Sequence, residues 1–190
     1  MTRIISGQGK GRRLQSPKGD LTRPTGARVK QTLFDILAPR LPGCRFLDAF
    51  AGGGAVGLEA LSRGASRVVL IDSSGEAVRA IRANVQALGG GGDVQVFRQD
   101  ARVAVPALGA AGHHFDVAFL DPPYESDLYR PLLEALGAGI LDPEGVAVAE
   151  HFHKKELPEK IGGLSCTRSV RIGDHRLSFY RSHSEEGALP

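Results

Sequence analysis

The chain has 190 residues, of which 42% are hydrophobic and 24% charged, and its formal net charge is +3. These values suit one soluble domain with enough apolar side chains to bury a core. No apolar run can span a bilayer, the first residues lack the apolar stretch of a secretory signal, and Cys44 and Cys166 lack disulfide or zinc-site spacing, so a reduced cytoplasmic protein without metal is expected.

Residues 1–45 hold ten basic side chains against Asp20 and Asp35, a balance of +8, so the remaining 145 residues sum to −5. A basic arm on a mildly acidic body suits contact with a polyanion, with Arg3, Lys10, Arg12 and Arg13 as candidate contacts. Arg3–Ser6 and Arg12–Gln15 flank a glycine-rich turn and are expected to pair as a hairpin. Arg23-Pro24-Thr25 then leads into a helix with Val29, Leu33, Ile36 and Leu37 on one face, ending near Pro39. The expected organisation is an arm over 1–40, a domain over 41–183 and a frayed tail over 184–190.

From Arg45 the pattern alternates between buried strand and amphipathic helix. Strands are expected at Arg45–Phe50, Arg67–Ile71, Val94–Phe97, Asp116–Leu120 and near Val146–Glu150. Helices are expected at Ala55–Arg63, from Ser73 with Glu76 in a capping box, at Ala101–Leu108 and around Leu128–Leu136. Ser165–Ile172 and Arg176–Arg181 would close the sheet as an antiparallel pair. This alternation predicts an α/β fold with a mostly parallel sheet and helices on both faces. Ligands in such sheets sit at the carboxyl ends of the strands. Asp48, Asp72, Asp100 and Asp121 each fall at or just past such an end, and four in succession mark a site.

Gly52-Gly53-Gly54-Ala55-Val56-Gly57 satisfies G-x-G-x-x-G between a strand and a helix, with Asp72 twenty residues after Gly52. A nicotinamide dinucleotide would need positive potential for its pyrophosphate, and Asp48 just before the turn opposes that. S-adenosylmethionine has no phosphate but carries an ammonium and a sulfonium, which favour nearby carboxylates. Asp72 is placed to accept hydrogen bonds from ribose hydroxyls and Asp100 to approach the adenine amine. The neighbours Ala49, Ser73 and Ala101 complete the candidate cofactor set with Gly52, Gly54 and Asp121.

Asp121-Pro122-Pro123-Tyr124 follows the apolar run Val117–Leu120. Two prolines fix φ and remove two backbone donors, leaving a stiff turn rich in acceptors. An exocyclic base amine is a poor nucleophile with two N–H donors. The Asp121 carboxylate and Pro122 carbonyl would hold both hydrogens and turn the lone pair toward a sulfonium methyl, so acceleration would come from positioning and electrostatics. Asp121 would also receive or relay the released proton. Tyr124 would stack on the splayed-out base, a contact worth roughly 1–3 kcal/mol.

The tetrad resembles the signature of Rossmann-like amino-group methyltransferases. Arg3-Ile4-Ile5-Ser6-Gly7, Gly11-Arg12-Arg13-Leu14, the run from Arg23-Pro24-Thr25 through Arg28-Val29-Lys30 to Leu33-Phe34, and Leu47-Asp48 through Gly64-Ala65 together resemble the bacterial 16S rRNA (guanine(966)-N(2))-methyltransferase family. The resemblance runs from Arg3 to about Tyr180. It implies a class I S-adenosylmethionine-dependent methyltransferase with a seven-strand sheet and an N-terminal hairpin-and-helix extension. It also implies N2-methylation of guanine 966 in 16S rRNA carried by an assembled or partly assembled small subunit, by a monomer. Asp48, Gly52, Gly54, Asp72 and Asp100 would then hold the cofactor, and Asp121 to Tyr124 the guanine. Arg23, Thr25 and Arg28 would lie near the site entrance. Gly53 stands where the family often has Ser, which should loosen the loop, and Ser73-Ser74 replace bulkier polar residues.

A DNA adenine-N6 or cytosine-N4 methyltransferase shares the tetrad's chemistry but usually needs a target-recognition segment for which 190 residues leave no room. Protein-glutamine methyltransferases resemble Asn-Pro-Pro-Tyr, whereas this tetrad starts with Asp121. A non-catalytic RNA-binding assembly factor would not need Asp48 and Asp121. His113-His114 and His151-x-His153 lack partners at metal-site spacing and are read as loop histidines.

Overall fold

The arm folds back on itself. In the computed structural model, which describes residues 2–17, 26–89, 93–123 and 126–182, β1 (Thr2–Arg3) and β2 (Arg13–Leu14) pair antiparallel, Thr2 opposite Leu14. The expected hairpin is present, with shorter strands. Helix α1 (Ala27–Leu37) buries Val29, Leu33 and Leu37 and runs into a short 3-10 turn over Ala38–Arg40, where Pro39 stops the α-helix. Arg23, Thr25, Tyr124 and the tail over 184–190 lie outside the described residues.

The body is one twisted sheet. Its strands are β3 (Arg45–Asp48), β4 (Arg67–Asp72), β5 (Asp93–Arg98), β6 (Phe115–Leu120), β7 (Leu141–Phe152), β8 (Lys160–Ile161), β9 (Leu164–Ile172) and β10 (His175–Ser182). They lie in the order β5-β4-β3-β6-β7-β10-β9-β8. The first five are parallel to one another and the last three join antiparallel. Eight strands stand where seven were expected, because the two-residue β8 turns back at Gly162-Gly163 to pair with β9.

Helices α2 (Gly57–Ser62) and α3 (Gly75–Ala87) pack with α1 on one face of the sheet, where Phe34, Leu58 and Ile81 meet Phe46, Val68 and Phe119. Helices α4 (Ala101–Ala110) and α5 (Tyr129–Ala135) cover the other, where Val105 and Leu133 meet Leu47, Ile71 and Leu120. Burial of these apolar faces is the main favourable term holding the layers together. Two helix starts differ from expectation. Helix α2 begins at Gly57 and not Ala55: the Gly57 N–H donates to Asp48 Oδ2 at 3.0 Å, and a Cβ there would lie 2.3 Å from Leu70 Cδ2. Helix α3 is capped by Ser74 and not Ser73, because Asp72 Oδ1 accepts the Ser74 N–H at 2.8 Å and delays the first turn by one residue.

Candidate active site

The strand order reverses at β3, and the chain leaves β3 and β6 over opposite flanks, so a crevice opens beyond their carboxyl ends. A cavity of about 910 Å³ lies there, with Asp48, Asp72, Asp100, Asp121 and Glu150 in its wall. The four aspartates singled out in the sequence are therefore brought to one place. Ala49, Gly52, Ser73, Ala101, Pro122 and Pro123 also line it, whereas Gly54 does not.

Each acid is held differently. Asp48 is buried at the end of β3; its Oδ2 accepts from Gly57, and Oδ1 has no hydrogen-bond partner among the described residues. Burial lifts its pKa to about 7, opposed by the Gly57 N–H and reinforced by Asp121 and Asp72 nearby. Asp72 takes the Gly52 N–H on Oδ2 at 2.8 Å and the Ser74 N–H on Oδ1 at 2.8 Å, fixing the glycine turn to β4. Asp100 caps α4: its Oδ1 accepts from the Arg102 backbone at 2.8 Å, and its Oδ2 lies 2.7 Å from Arg102 Nη2, which holds its carboxyl below the usual range. The expectation that Asp100 reaches out for an adenine amine had not anticipated this capping and pairing.

Leu47, Leu120 and Ala149 all belong to the core under α4 and α5, so strand alternation turns the next residues, Asp48, Asp121 and Glu150, toward the opposite face. Asp121 sits beyond β6 with its pKa raised to about 7 by burial. Glu150 lies alongside on β7, since Leu120 pairs with Ala149. Its Oε1 is 2.8 Å from His175 Nδ1, its Oε2 has no hydrogen-bond partner among the described residues, and Tyr129 donates its hydroxyl to the Glu150 carbonyl at 2.7 Å. Burial first, and Asp121 second, push the Glu150 acid up to about 9.

The arm forms one wall, with Thr2, Leu14, Gln15, Ser16 and Pro17 facing the cavity. Buried Glu59 on α2 holds it there: Oε2 accepts the Ile5 N–H at 2.7 Å and Oε1 the Ser6 N–H at 2.9 Å. Lys30 of α1 lies 3.3 Å from the same carboxylate and donates to the Arg3 carbonyl at 2.8 Å. Arg3, Lys10, Arg12, Arg13 and Arg28 remain exposed, so the docked arm presents basic side chains to solvent.

The comparisons with known proteins agree with this layout. The family model described as conserved hypothetical protein 95 matches residues 2–181. The chain is 38% identical over 180 residues to the putative rRNA methyltransferase YlbH of Bacillus subtilis, covering 94% of this chain and 98% of that one. It is 33% identical over 184 residues to the ribosomal RNA small subunit methyltransferase D of Escherichia coli, covering 96% and 91%. The chain belongs to the small subunit methyltransferase D family. Among solved structures, the putative methyltransferase yhhF from Escherichia coli superposes with a TM-score of 0.82 at 32% identity, covering 96% of this chain and 98% of that one. The fold is accordingly the Rossmann-like methyltransferase fold that the family resemblance implies, built on the mostly parallel sheet that the strand and helix pattern predicts.

Membership in the family gives the remaining candidates their context. His113 and His114 line a smaller cavity of about 210 Å³ with Arg45 and Arg67, at the amino ends of the strands and away from the acids. His151 faces the main cavity; its Nε2 meets Ser178 Oγ at 2.9 Å, and burial lowers its pKa. Among the described residues no three metal-ligating side chains converge. Glu150, His175 and Tyr129 were not singled out from sequence. The signal for Glu150 was present all the same: it is an acid directly after the apolar run Val146–Ala149, as the aspartates follow theirs.

Proposed function

We propose that this chain transfers a methyl group from S-adenosylmethionine to the exocyclic N2 of a guanine in small-subunit ribosomal RNA, at the position of guanine 966, within an assembled or partly assembled subunit. The observation that carries the reading is the placement of Asp121. It is a half-buried acid followed by two prolines, in the same cavity as Asp48 and the glycine turn. The relatives named a putative rRNA methyltransferase in Bacillus subtilis and a small-subunit rRNA methyltransferase in Escherichia coli support the polymer.

The residues present suit the cofactor. Asp48 Oδ1 is a buried acceptor without a partner, a costly state unless a cationic donor arrives. Asp72 keeps lone pairs directed at the cavity beyond its two backbone contacts. Bound there, S-adenosylmethionine supplies an electrophilic methyl on a positively charged sulfur. Asp48 and Asp72, with the Gly52 turn, would hold it; Asp100 and Ala101 border the far end.

The chain's own part is to position and to take a proton. Asp121 and the Pro122 carbonyl accept the two amine hydrogens, and the rigid proline turn keeps both acceptors in place. Asp121, with its pKa near neutrality, receives the proton once the new N–C bond has formed. The exposed basic residues of the arm bind phosphates beside the mouth. The test is methyl transfer to small-subunit particles from a strain lacking the activity, with the modified base identified by mass spectrometry. N2-methylguanine is expected; N6-methyladenine overturns the reading.

A further inference from the structure

The strand order divides the cavity into two halves. β3, β4 and β5 carry the glycine turn, Asp72 and Asp100, the groups suited to the cofactor; β6 and β7 lie on the other side of β3 and carry Asp121 and Glu150. The β6–β7 half is left for the acceptor base. Asp121 already faces the amine in the mechanism above, but Glu150 is not used by it. Glu150 lines the cavity although only 2% exposed, its Oε1 lies 2.8 Å from His175 Nδ1, and its buried Oε2 has no hydrogen-bond partner among the described residues. A polar atom that is pinned, desolvated and unsatisfied is costly until a ligand satisfies it.

We propose that Glu150 is the residue that selects the base, its Oε2–H donating to the O6 carbonyl oxygen of a guanine whose N2 amine faces Asp121. This rests on the guanine-N2 reading above. N2 and O6 stand at the two ends of guanine's Watson–Crick edge, a span comparable to the spacing of adjacent strands, about 4.8 Å. Leu120 pairs with Ala149, so Asp121 and Glu150 follow on just such neighbours. The protonation pattern is self-consistent. Burial and the Asp121 charge keep Glu150 in its acid form up to about pH 9. A His175 Nδ1–H donated to Oε1 then leaves the acid hydrogen on Oε2, free to serve a base. Adenine would place an amine, and 2-aminopurine a bare C–H, where this donor needs an acceptor. The titratable groups nearest Glu150 are Asp121 beyond β6, Asp48 on β3, Tyr129 on α5 and His175 on β10. None of them supplies Oε2 with a partner.

The experiment uses the whole enzyme and small-subunit particles reconstituted with either guanine or 2-aminopurine at the base that the wild type methylates. 2-Aminopurine keeps the N2 amine and lacks O6. The wild type should favour guanine, and Glu150→Leu should lose roughly tenfold or more of that preference in kcat/KM. Glu150→Gln, which keeps an N–H donor, should retain it. S-Adenosylhomocysteine affinity should stay within a few-fold in both variants, since the cofactor half is untouched. If the wild type methylates guanine N2 but Glu150→Leu keeps its preference, or Glu150→Gln loses it equally, the selection role falls alone. A wild type that methylates adenine instead overturns both this and the proposed function.

Discussion

Asn84 and Gln15, distant in sequence, hold each other in a two-way hydrogen-bonded pair. The Gln15 N–H donates to Asn84 Oδ1 at 2.8 Å, and Asn84 Nδ2 donates to the Gln15 carbonyl at 2.9 Å. The same Nδ2 also donates to the Gly53 carbonyl at 2.8 Å. One buried side chain on α3 therefore fastens the arm to the glycine turn. Gly53 fits this contact: a Cβ there would stand 2.9 Å from the Gln15 carbonyl oxygen. The loosening expected from a glycine at this position is countered by the Asn84 tether.

Asn84→Ala should consequently weaken two things at once. Three backbone groups lose their partner, at a cost of about 1–3 kcal/mol in stability, read by urea denaturation. S-Adenosylhomocysteine affinity should fall roughly fivefold, equivalent to ~1 kcal/mol, read by calorimetry. A stability loss with unchanged affinity would mean that the arm does not brace the turn.

Glu59 is the second fastening, and its substitution should be more damaging. Its buried carboxylate serves two arm N–H groups, the buried Lys30, and Arg63 Nε at 2.8 Å. Glu59→Ala strands the buried Lys30 ammonium, whose pKa burial already lowers, and should cost about 3–5 kcal/mol. Lys30→Met should cost less, because Arg63 and both N–H groups still satisfy Glu59. Equal losses in denaturant midpoints would contradict this ordering.

Local patterns carried most of the fold. Short buried apolar runs ended by an acid gave the parallel strands, and Val78 and Ile81 gave the buried face of α3. Asn84 was not singled out, because its burial comes from the arm folding back over a long stretch of chain. The Glu59–Lys30 pair was not singled out for the same reason. The pairing of such groups is set by tertiary contact, which no local window contains. Glu150 was missed differently, because the acid-at-strand-end rule was applied to aspartates and stopped one strand short.

Asp121→Ala should abolish methyl transfer while leaving S-adenosylhomocysteine affinity within a few-fold, since Asp48 and Asp72 supply the cofactor contacts proposed above. Burial places the Asp121 pKa near 7, so kcat/KM of the wild type should fall as pH drops below that value and the acceptor becomes protonated. A rate independent of pH between 5.5 and 8 would remove Asp121 as proton acceptor.

The arm's contribution to RNA binding should be electrostatic and separable from the cofactor. Lys10 and Arg13 are exposed and make no ion pair among the described residues. Lys10→Ala and Arg13→Ala should each weaken particle binding and lower the slope of log affinity against log salt by about 1. Filter binding across a salt series reads both quantities, and an unchanged slope would place the polyanion elsewhere.

The buried acids also set how stability responds to pH. Asp48 and Asp121 rise from an ordinary 3.8 to about 7 on folding. Between those values the folded chain holds more protons than the unfolded chain, so stability falls as pH rises, by at most about 1.4 kcal/mol per pH unit for each carboxyl. Asp100 and Asp116, whose pKa values are lowered by Arg102 and Arg45, are ionised in both states above pH 5.5 and add no slope there. His151, lowered by burial, works in the opposite direction near neutrality. The melting temperature of the protein without ligand should therefore decline from pH 5.5 to 7. Asp48→Asn, which removes one of the three raised carboxyls, Asp48, Asp121 and Glu150, and keeps an acceptor for the Gly57 N–H, should flatten that decline. An unaltered slope in Asp48→Asn would show that Asp48 ionises in the folded protein as freely as it does in water.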